Sequence, residues 1–439
     1  MVVLGVAWLI LLVYAYPGFM TQDSSDHLRE ARVGVYTDSH PPAMSFLWAV
    51  LEWFIAGPLL MLILQSGTFL AGLYVVLRRT FAPRKAAWIA GALFIFPPVM
   101  VPFAVIWKDC VMAGFLMLGL AAMFSQRRWI RIAGLLALGA ATAVRYNAFG
   151  ATFPIVVLLF EWRTGMHWFK RYAISVVAWL AVTFGSFAFN AAITDHKMHP
   201  WHSTLALFDI VGTLVHADQE FTDDQLRVLL DGTELITKQN ILGTMRKLYS
   251  PRDFLPIINH KTDAMWGVPI WGLVPAPEPQ RDAIGRAFTE IITTYPFAYV
   301  KHRLAVLVEV LCFTRRRPAA AITGRDLRAD HVQMLSLSNT WSRLQRKMSE
   351  ATVLIYKLTP IFVPWIYLFI SLALLPMTRR HRDMFATIMS GLVFESSLLF
   401  LAASPDYRYS HWMIICTLIA VVTLTARRMR TAAPTPAAS

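Results

Sequence analysis

Ionisable residues stand beside long apolar runs in this sequence, and their types and order invite chemistry. Asp23, Asp26, His27 and Glu30 follow the first apolar stretch, Lys108-Asp109 follows the third, Arg145 ends the fifth, and Asp406 with Arg408 precedes the last. An Asp, Lys or Arg at the centre of a membrane helix costs about 2.5–3.5 kcal/mol on insertion, so charges at helix ends need a use. A carboxylate can take the proton of a hydroxyl. Arginine can hold an anionic group through forked contacts, and lysine can do so as a point charge. At helical spacing Asp23, Asp26, His27 and Glu30 share a face. Composition alone favours a plainer account of that face, an amphipathic helix capped by Asp23-Ser24 and resting on a membrane with solvated acids. Arg145 can equally snorkel to an interface, and Arg408, between Tyr407 and Tyr409, has the form of an aromatic-belt anchor.

The elements that must position these groups follow from composition. The 439 residues are 56% hydrophobic and 15% charged, with a net charge of +14. A soluble domain carries about 45–50% apolar and about 25% charged residues. This is instead the composition of an integral membrane protein. With roughly 17–25 apolar residues per crossing, about ten windows qualify. They lie near 2–16, 57–77, 86–106, 110–125, 130–147, 148–162, 172–193, 352–376, 384–403 and 410–426. The first lacks a basic flank and a cleavage site and is read as a retained helix.

Basic residues collect on alternate connections, at Arg78 to Lys85, Arg127 to Arg131, Arg163 to Arg171, Arg379 to Arg382 and Arg427 to Arg430. Positive-inside logic puts these connections and both termini in the cytoplasm. The positive charge is thereby absorbed by orientation and does not call for nucleic acid. Cys110, Cys312 and Cys416 are too few and too scattered for a disulfide framework or a metal motif. His196, His199 and His202 lack the companions a zinc site needs.

The expected organisation is an all-α polytopic membrane protein with an N-terminal transmembrane module at 1–193, which carries an external catalytic loop at 17–56. An external, mostly α soluble segment follows at 194–351, containing Trp266 to Trp271 and an interfacial helix near 295–313. A C-terminal transmembrane module at 352–426 and a cytoplasmic tail at 427–439 complete it.

Several short stretches resemble one family. Asp23-Ser-x-x-His27-Leu-x-x-Ala31 is similar to the first external loop of polytopic GT-C glycosyltransferases, such as the protein O-mannosyltransferases and the lipid A aminoarabinose transferase. His40-Pro41-Pro42 is similar to their entry into the next helix, and Trp107-Lys108-Asp109 to their second external acidic position. Arg145-Tyr-Asn147, the Tyr295 to Arg303 element and Asp406-Tyr-Arg408-Tyr409 resemble later elements of bacterial members. In this chain His27 replaces the usual aromatic and Ser24 the acid that often follows the first Asp.

The resemblance implies a GT-C-like fold and transfer of a sugar from a polyprenyl-phosphate donor to a glycan or lipid acceptor, on the periplasmic or extracellular side of a bacterial inner membrane. The lipid phosphate is a good leaving group, so one carboxylate base and cations for the phosphate suffice. Asp23 is then the expected base, inverting the anomeric centre. Asp109 is the second catalytic carboxylate, orienting the acceptor or binding a divalent cation; no other cofactor is called for. Lys108, Arg145 and Arg408 are the expected phosphate holders. Asp26, His27, His40, Asn147, Arg303 and Tyr409 are the remaining substrate-binding candidates. Two other readings use the same charges. One is a flippase or transporter of a lipid-linked glycan, which needs polar groups buried at mid-membrane, where Glu395 is the chief example. The other is an O-antigen polymerase or ligase, which draws on the basic stretch from Arg315 to Arg328.

Overall fold

In apolar surroundings a backbone must satisfy its own polar groups, and a helix does so within one segment. The computed structural model describes residues 1–163, 165–237, 239–258, 274–315, 317–318 and 341–432. Among the described residues there is no strand, only isolated bridges between Phe19 and Val105 and between Thr37 and His196. The helices are α1 (Val2–Ala15), α2 (Gln22–Val33), α3 (Ala43–Glu52), α4 (Leu59–Arg78), α5 (Pro83–Ile95), α6 (Pro97–Phe103), α7 (Lys108–Met123), α8 (Arg128–Val144), α9 (Ala148–Leu159) and α10 (Trp168–Ile193). A π-turn at Trp201–Ala206 leads into α11 (Leu207–His216), α12 (Asp223–Leu229), α13 (Ile241–Leu248), α14 (Leu255–Ile258), α15 (Glu278–Thr294) and α16 (Pro296–Val310). The chain ends in α17 (Arg343–Leu358), α18 (Pro364–Leu374), α19 (Arg382–Leu401) and α20 (His411–Ala432). The Trp266 to Trp271 segment, and Arg316, Arg325 and Arg328 of the basic stretch, lie outside the described residues.

The all-α expectation holds, and the span count is revised. Leu59–Arg78, Trp168–Ile193, Arg382–Leu401 and Tyr407–Arg430 are long and apolar enough to cross a membrane. A fifth span exists if α5 and α6, bent by 68° at their junction, count as one. α1, α3 and α9 are shorter apolar helices, and α7 and α8 run for 16 and 17 residues. The 352–376 window is not one helix. It breaks between Leu358 and Pro364, where Pro360 and Pro364 supply no N–H for a continuous ladder.

Close crossings hold α4, α7 and α8 together. A Cβ on Gly72 of α4 would lie 2.7 Å from the Met117 carbonyl oxygen of α7. One on Gly119 of α7 would lie 2.6 Å from Leu138 Cδ2 of α8, and one on Gly134 of α8 2.6 Å from Ala122 Cβ. Lipid tails are as apolar as the side chains, so small residues that let backbones approach replace the hydrophobic effect here. Half or more of the best windows of α4, α19 and Tyr407–Arg430 is buried, against 17% for α10, which forms an outer wall.

A second core belongs to the segment after α10. Leu207, Ile210, Leu214, Ile241, Met245, Ile284, Ile291 and Val306 pack together, joined by Leu398 and Ala402 at the end of α19. α16 buries His302, Arg303, Val306 and Val310 and turns Phe297, Val300 and Leu304 outward. α17 reaches back to the end of α1, where Gln345 Nε2 donates to the Tyr16 carbonyl at 2.7 Å.

Candidate functional site

The first loop folds as a capped helix, one residue pair earlier than its acids suggest. Thr21, not Asp23, is the N-cap of α2, and Ser24 closes the capping box by accepting from Thr21 N at 3.2 Å. Gly34 ends the helix in the left-handed region, at φ 73°. Ser24 Oγ also donates to the Ile106 carbonyl at 2.6 Å. Trp107 Nε1 donates to Thr21 Oγ1 at 3.0 Å, and Phe19 and Ala104 to Ile106 are linked through the backbone. These bonds bring the first turn of α2 against the first turn of α7. Asp23 and Asp109 both occupy such first turns, where the helix dipole favours an anion. Arg145 is the C-cap of the antiparallel α8, where it favours a cation.

Five charges from four distant stretches of the sequence meet at this end of the bundle. Arg408, on the short 3₁₀ turn Tyr407–Ser410 before α20, is the hub. Its Nη1 lies 2.7 Å from Asp23 Oδ2, and its Nε lies 2.8 Å from Asp406 Oδ2 and 3.9 Å from Asp109 Oδ2. Its plane sits over Trp107, with 4.8 Å to the ring centroid. Arg145 Nη1 pairs with Asp109 Oδ1, while its Nε donates to Asn147 Oδ1 at 2.9 Å. The Tyr409 ring lies under both guanidinium groups, at 4.9 Å from Arg145 and 5.5 Å from Arg408. Lys108 turns away from its neighbour Asp109 and meets His40 Nδ1 at 2.8 Å.

The two carboxylates differ in access. Asp23 keeps 25% of its side chain exposed and Asp109 only 1%. Burial on its own would raise the Asp23 carboxyl. The Arg408 guanidinium, with the Lys108 ammonium nearby, overrides that and holds it well below the usual carboxylate range. Asp406 is pushed up by burial, and Arg408 offsets only part of the shift. His27 is lowered to about 3, by burial first and Lys108 second. It is therefore neutral, donating from Nδ1 to Ser45 Oγ at 2.9 Å, while Ser45 Oγ donates to Glu30 Oε2 at 2.7 Å. Its ring lies 5.1 Å from that of His40.

A cleft of about 270 Å³ opens beside this cluster, lined by His40, Lys108, Arg145, Asn147 and Tyr409 with Leu398 and Ala402. An adjoining groove of about 390 Å³ shares Asp38 and Tyr146 with it and runs past Phe187 and Ala191 of α10. One polar wall and one apolar approach from the outer helix suit an amphiphile with an anionic head.

Of the expected site residues, Asp23, Asp109, His27, His40, Lys108, Arg145, Asn147, Arg408 and Tyr409 come together here. Asp26 turns to the rim, where Arg29 lies 3.7 Å away. Arg303 belongs to a different cluster. It is 1% exposed, 2.6 Å from Asp209 of α11, and its Nη1 donates to the Ala402 carbonyl at 2.7 Å. Its Nη1 and Nη2 fix α16 against the end of α19 and against α11, apart from the charges around Arg408.

Asp406, Glu30 and Trp107, singled out in the sequence without an assigned role, join the site, and Ser45 is an addition from the structure. Asp406 had a signal, since it stands two positions before Arg408 at the same span end. Glu395 accepts from Ser410 Oγ at 2.7 Å and serves as a structural link between α19 and the turn before α20. Among the described residues no group of three or more His, Cys, Asp or Glu side chains is placed to hold a metal ion. Both Asp109 oxygens, an expected cation position, face guanidinium groups instead. No protein-family model, no curated protein and no solved structure matches the chain.

Proposed function

We propose that this chain is an inverting membrane glycosyltransferase of GT-C-like architecture. It moves a sugar from a polyprenyl-phosphate donor to a glycan or lipid acceptor on the non-cytoplasmic face of a bacterial inner membrane. The observation that carries the reading is the meeting of Asp23, Asp109, Arg145, Asp406 and Arg408 beside a cleft lined by Lys108 and Arg145. On this reading the shorter apolar helices α1, α7, α8 and α9 complete the membrane bundle.

In the ligand-free arrangement the cations are already balanced by carboxylates. A donor phosphate entering beside Lys108 and Arg145 competes with Asp23 for Arg408. Loss of that partner raises the proton affinity of Asp23, so donor binding itself prepares the base. Asp23 then takes the acceptor hydroxyl's proton as the oxygen attacks the anomeric carbon. The bond to the lipid phosphate breaks, and the leaving phosphate keeps its electron pair, stabilised by Lys108, Arg145 and Arg408. Asp109 acts by holding both arginines. The prenyl chain lies in the groove along α10, past Phe187 and Ala191.

The test is purified protein in lipid nanodiscs, supplied with a panel of isotope-labelled polyprenyl-phosphate sugars and cell-envelope acceptors. A new glycosidic bond of inverted anomeric configuration supports the reading. Lipid-linked glycan crossing a liposome membrane with no product bond would replace it with the carrier reading.

A further inference from the structure

The opposite end of the bundle holds a second charged cleft, which the proposed reaction does not use. α7 has 16 residues, so at 1.5 Å per residue its last turn lies roughly 22 Å from Asp109. There a cleft of about 390 Å³ is framed by the C-terminal ends of α4, α7, α9 and α20 and the starts of α8 and α19. Its walls carry the guanidinium groups of Arg79, Arg131, Arg380, Arg382 and Arg427 against the carboxylates of Glu161 and Asp383.

Both acids are already committed. Asp383 takes Arg427 in a forked pair at 2.9 and 2.5 Å, with Arg79 at 4.0 Å. Glu161 takes Arg171 at 3.2 Å and Arg382 at 3.7 Å. Arg131 pairs with no carboxylate among the described residues. It is 4% exposed, its Nη1 donates to the Ser125 and Gln126 carbonyls, and its Nε is buried without an acceptor. Neutral carbonyls take its Nη donors and leave its charge uncompensated. Arg380 stands exposed at the rim, with no ion pair among the described residues. Orientation alone asks only for basic residues in solvated loops. It does not ask for a concave site with a buried arginine and an excess of cations over acids.

We propose that this cleft binds a phosphate-bearing anion, at a site separate from the candidate active site and independent of the proposed reaction. Arg131 and Arg380 supply the unbalanced charge, and Arg382 and Arg427 supply further donors. A position at the helix ends suits the headgroup of an acidic phospholipid, and a soluble phosphate offers the same chemistry.

Two measurements on the full-length protein separate the sources. In nanodiscs of phosphatidylcholine with added phosphatidylglycerol, native mass spectrometry reads the acidic lipid retained after release. In nanodiscs of phosphatidylcholine alone, the thermal transition is followed as inorganic phosphate or pyrophosphate is added. The comparison is with Arg380→Gln/Arg382→Gln, both exposed positions. If the ligand is a headgroup, the double variant retains about thirtyfold less phosphatidylglycerol than the wild type. If it is a soluble anion, phosphate raises the wild-type transition in neutral discs and leaves that of the variant unmoved. Equal retention in the two proteins, together with no phosphate response in either, overturns the proposal. Should the double variant fail to fold, Arg380→Glu alone is the comparison. It removes no intramolecular partner, and the same loss is expected.

Discussion

Asp23 and Asp109 carry the same functional group and face the same arginine, yet their surroundings give them different work. The open one is held as an anion by Arg408 and Lys108, and the closed one ties Arg145 to Arg408. The histidines beside them set a pH dependence of stability. The folded protein holds His27 down at about 3 and His40 well below its ordinary value, burial being the first cause for each. The unfolded chain binds these protons near pH 6.5. Their depressed values therefore cost nothing above that pH and destabilise increasingly as pH falls from about 6.5 towards about 3. Asp23 adds a loss of the same sign below about 3.9, where the unfolded carboxylate protonates first. Asp406, raised by burial, opposes them. The expected result is a melting temperature that falls with acidification over that window, with a shallower slope in His27→Gln. Parallel slopes in the two proteins would show that His27 does not carry the effect. At this scale the sequence was informative where hydrophobic context made charge conspicuous, as at Asp23, Asp109, Arg145 and Arg408. It was silent on the partner of Arg303, since Asp209 lies far away in sequence and is recognisable only once α11 packs on α16.

Helix ends do the positioning, and helix crossings hold those ends in register. Ser24 serves twice, in the capping box of α2 and on the Ile106 carbonyl beside α7. The glycines set the spacing of α4, α7 and α8. At Gly72 a methyl group would meet carbonyl backbone of α7 at 2.7 Å, and backbone cannot give way as a flexible side chain can. Gly72→Ala is expected to destabilise the bundle by about 1–3 kcal/mol through overpacking. Unfolding in a mild denaturing detergent reads this, with Gly5→Ala, where nothing lies within 4 Å, as the neutral control. An unchanged midpoint for Gly72→Ala would contradict the crossing. Hydropathy windows located these helices but could not find their breaks. The bend between α5 and α6 falls at Pro97, and the interruption before α18 at Pro360 and Pro364. Both lie inside stretches apolar enough to read as continuous. The cap of α2 was displaced for a related reason: Asp and Ser are both good caps, and only the contact with Ile106 decides between registers.

Across the whole molecule the charges sort by end. Carboxylates and cations balance at one end around Arg408, and arginines exceed acids at the other around Arg131. The proposed orientation, with the basic end in the cytoplasm by positive-inside logic, turns the candidate site outward. Cys110, Cys312 and Cys416 are all buried, so single introduced cysteines can be labelled on a quiet background. Trp53→Cys, beside α3, is expected to react with a membrane-impermeant maleimide added to intact cells. Arg128→Cys, at the start of α8, is expected to react only in inverted vesicles. The reverse pattern would put the site on the cytoplasmic face and remove the proposed extracytoplasmic acceptor. The division of charge was legible in the sequence, because basic loops alternate along the chain. That the outer charges converge was not legible, since it depends on the antiparallel pairing of α7 with α8 and of α19 with α20.

The central claim is that Asp23 is the base for sugar transfer, and the most direct measurement separates donor binding from turnover. Wild type and Asp23→Asn are compared in nanodiscs for affinity towards the labelled polyprenyl-phosphate sugar and for single-turnover transfer. Loss of a general base is expected to slow transfer by about 10²–10⁴-fold and to leave donor affinity equal or tighter, since Arg408 is freed for the phosphate. Transfer by Asp23→Asn at the wild-type rate would contradict the account.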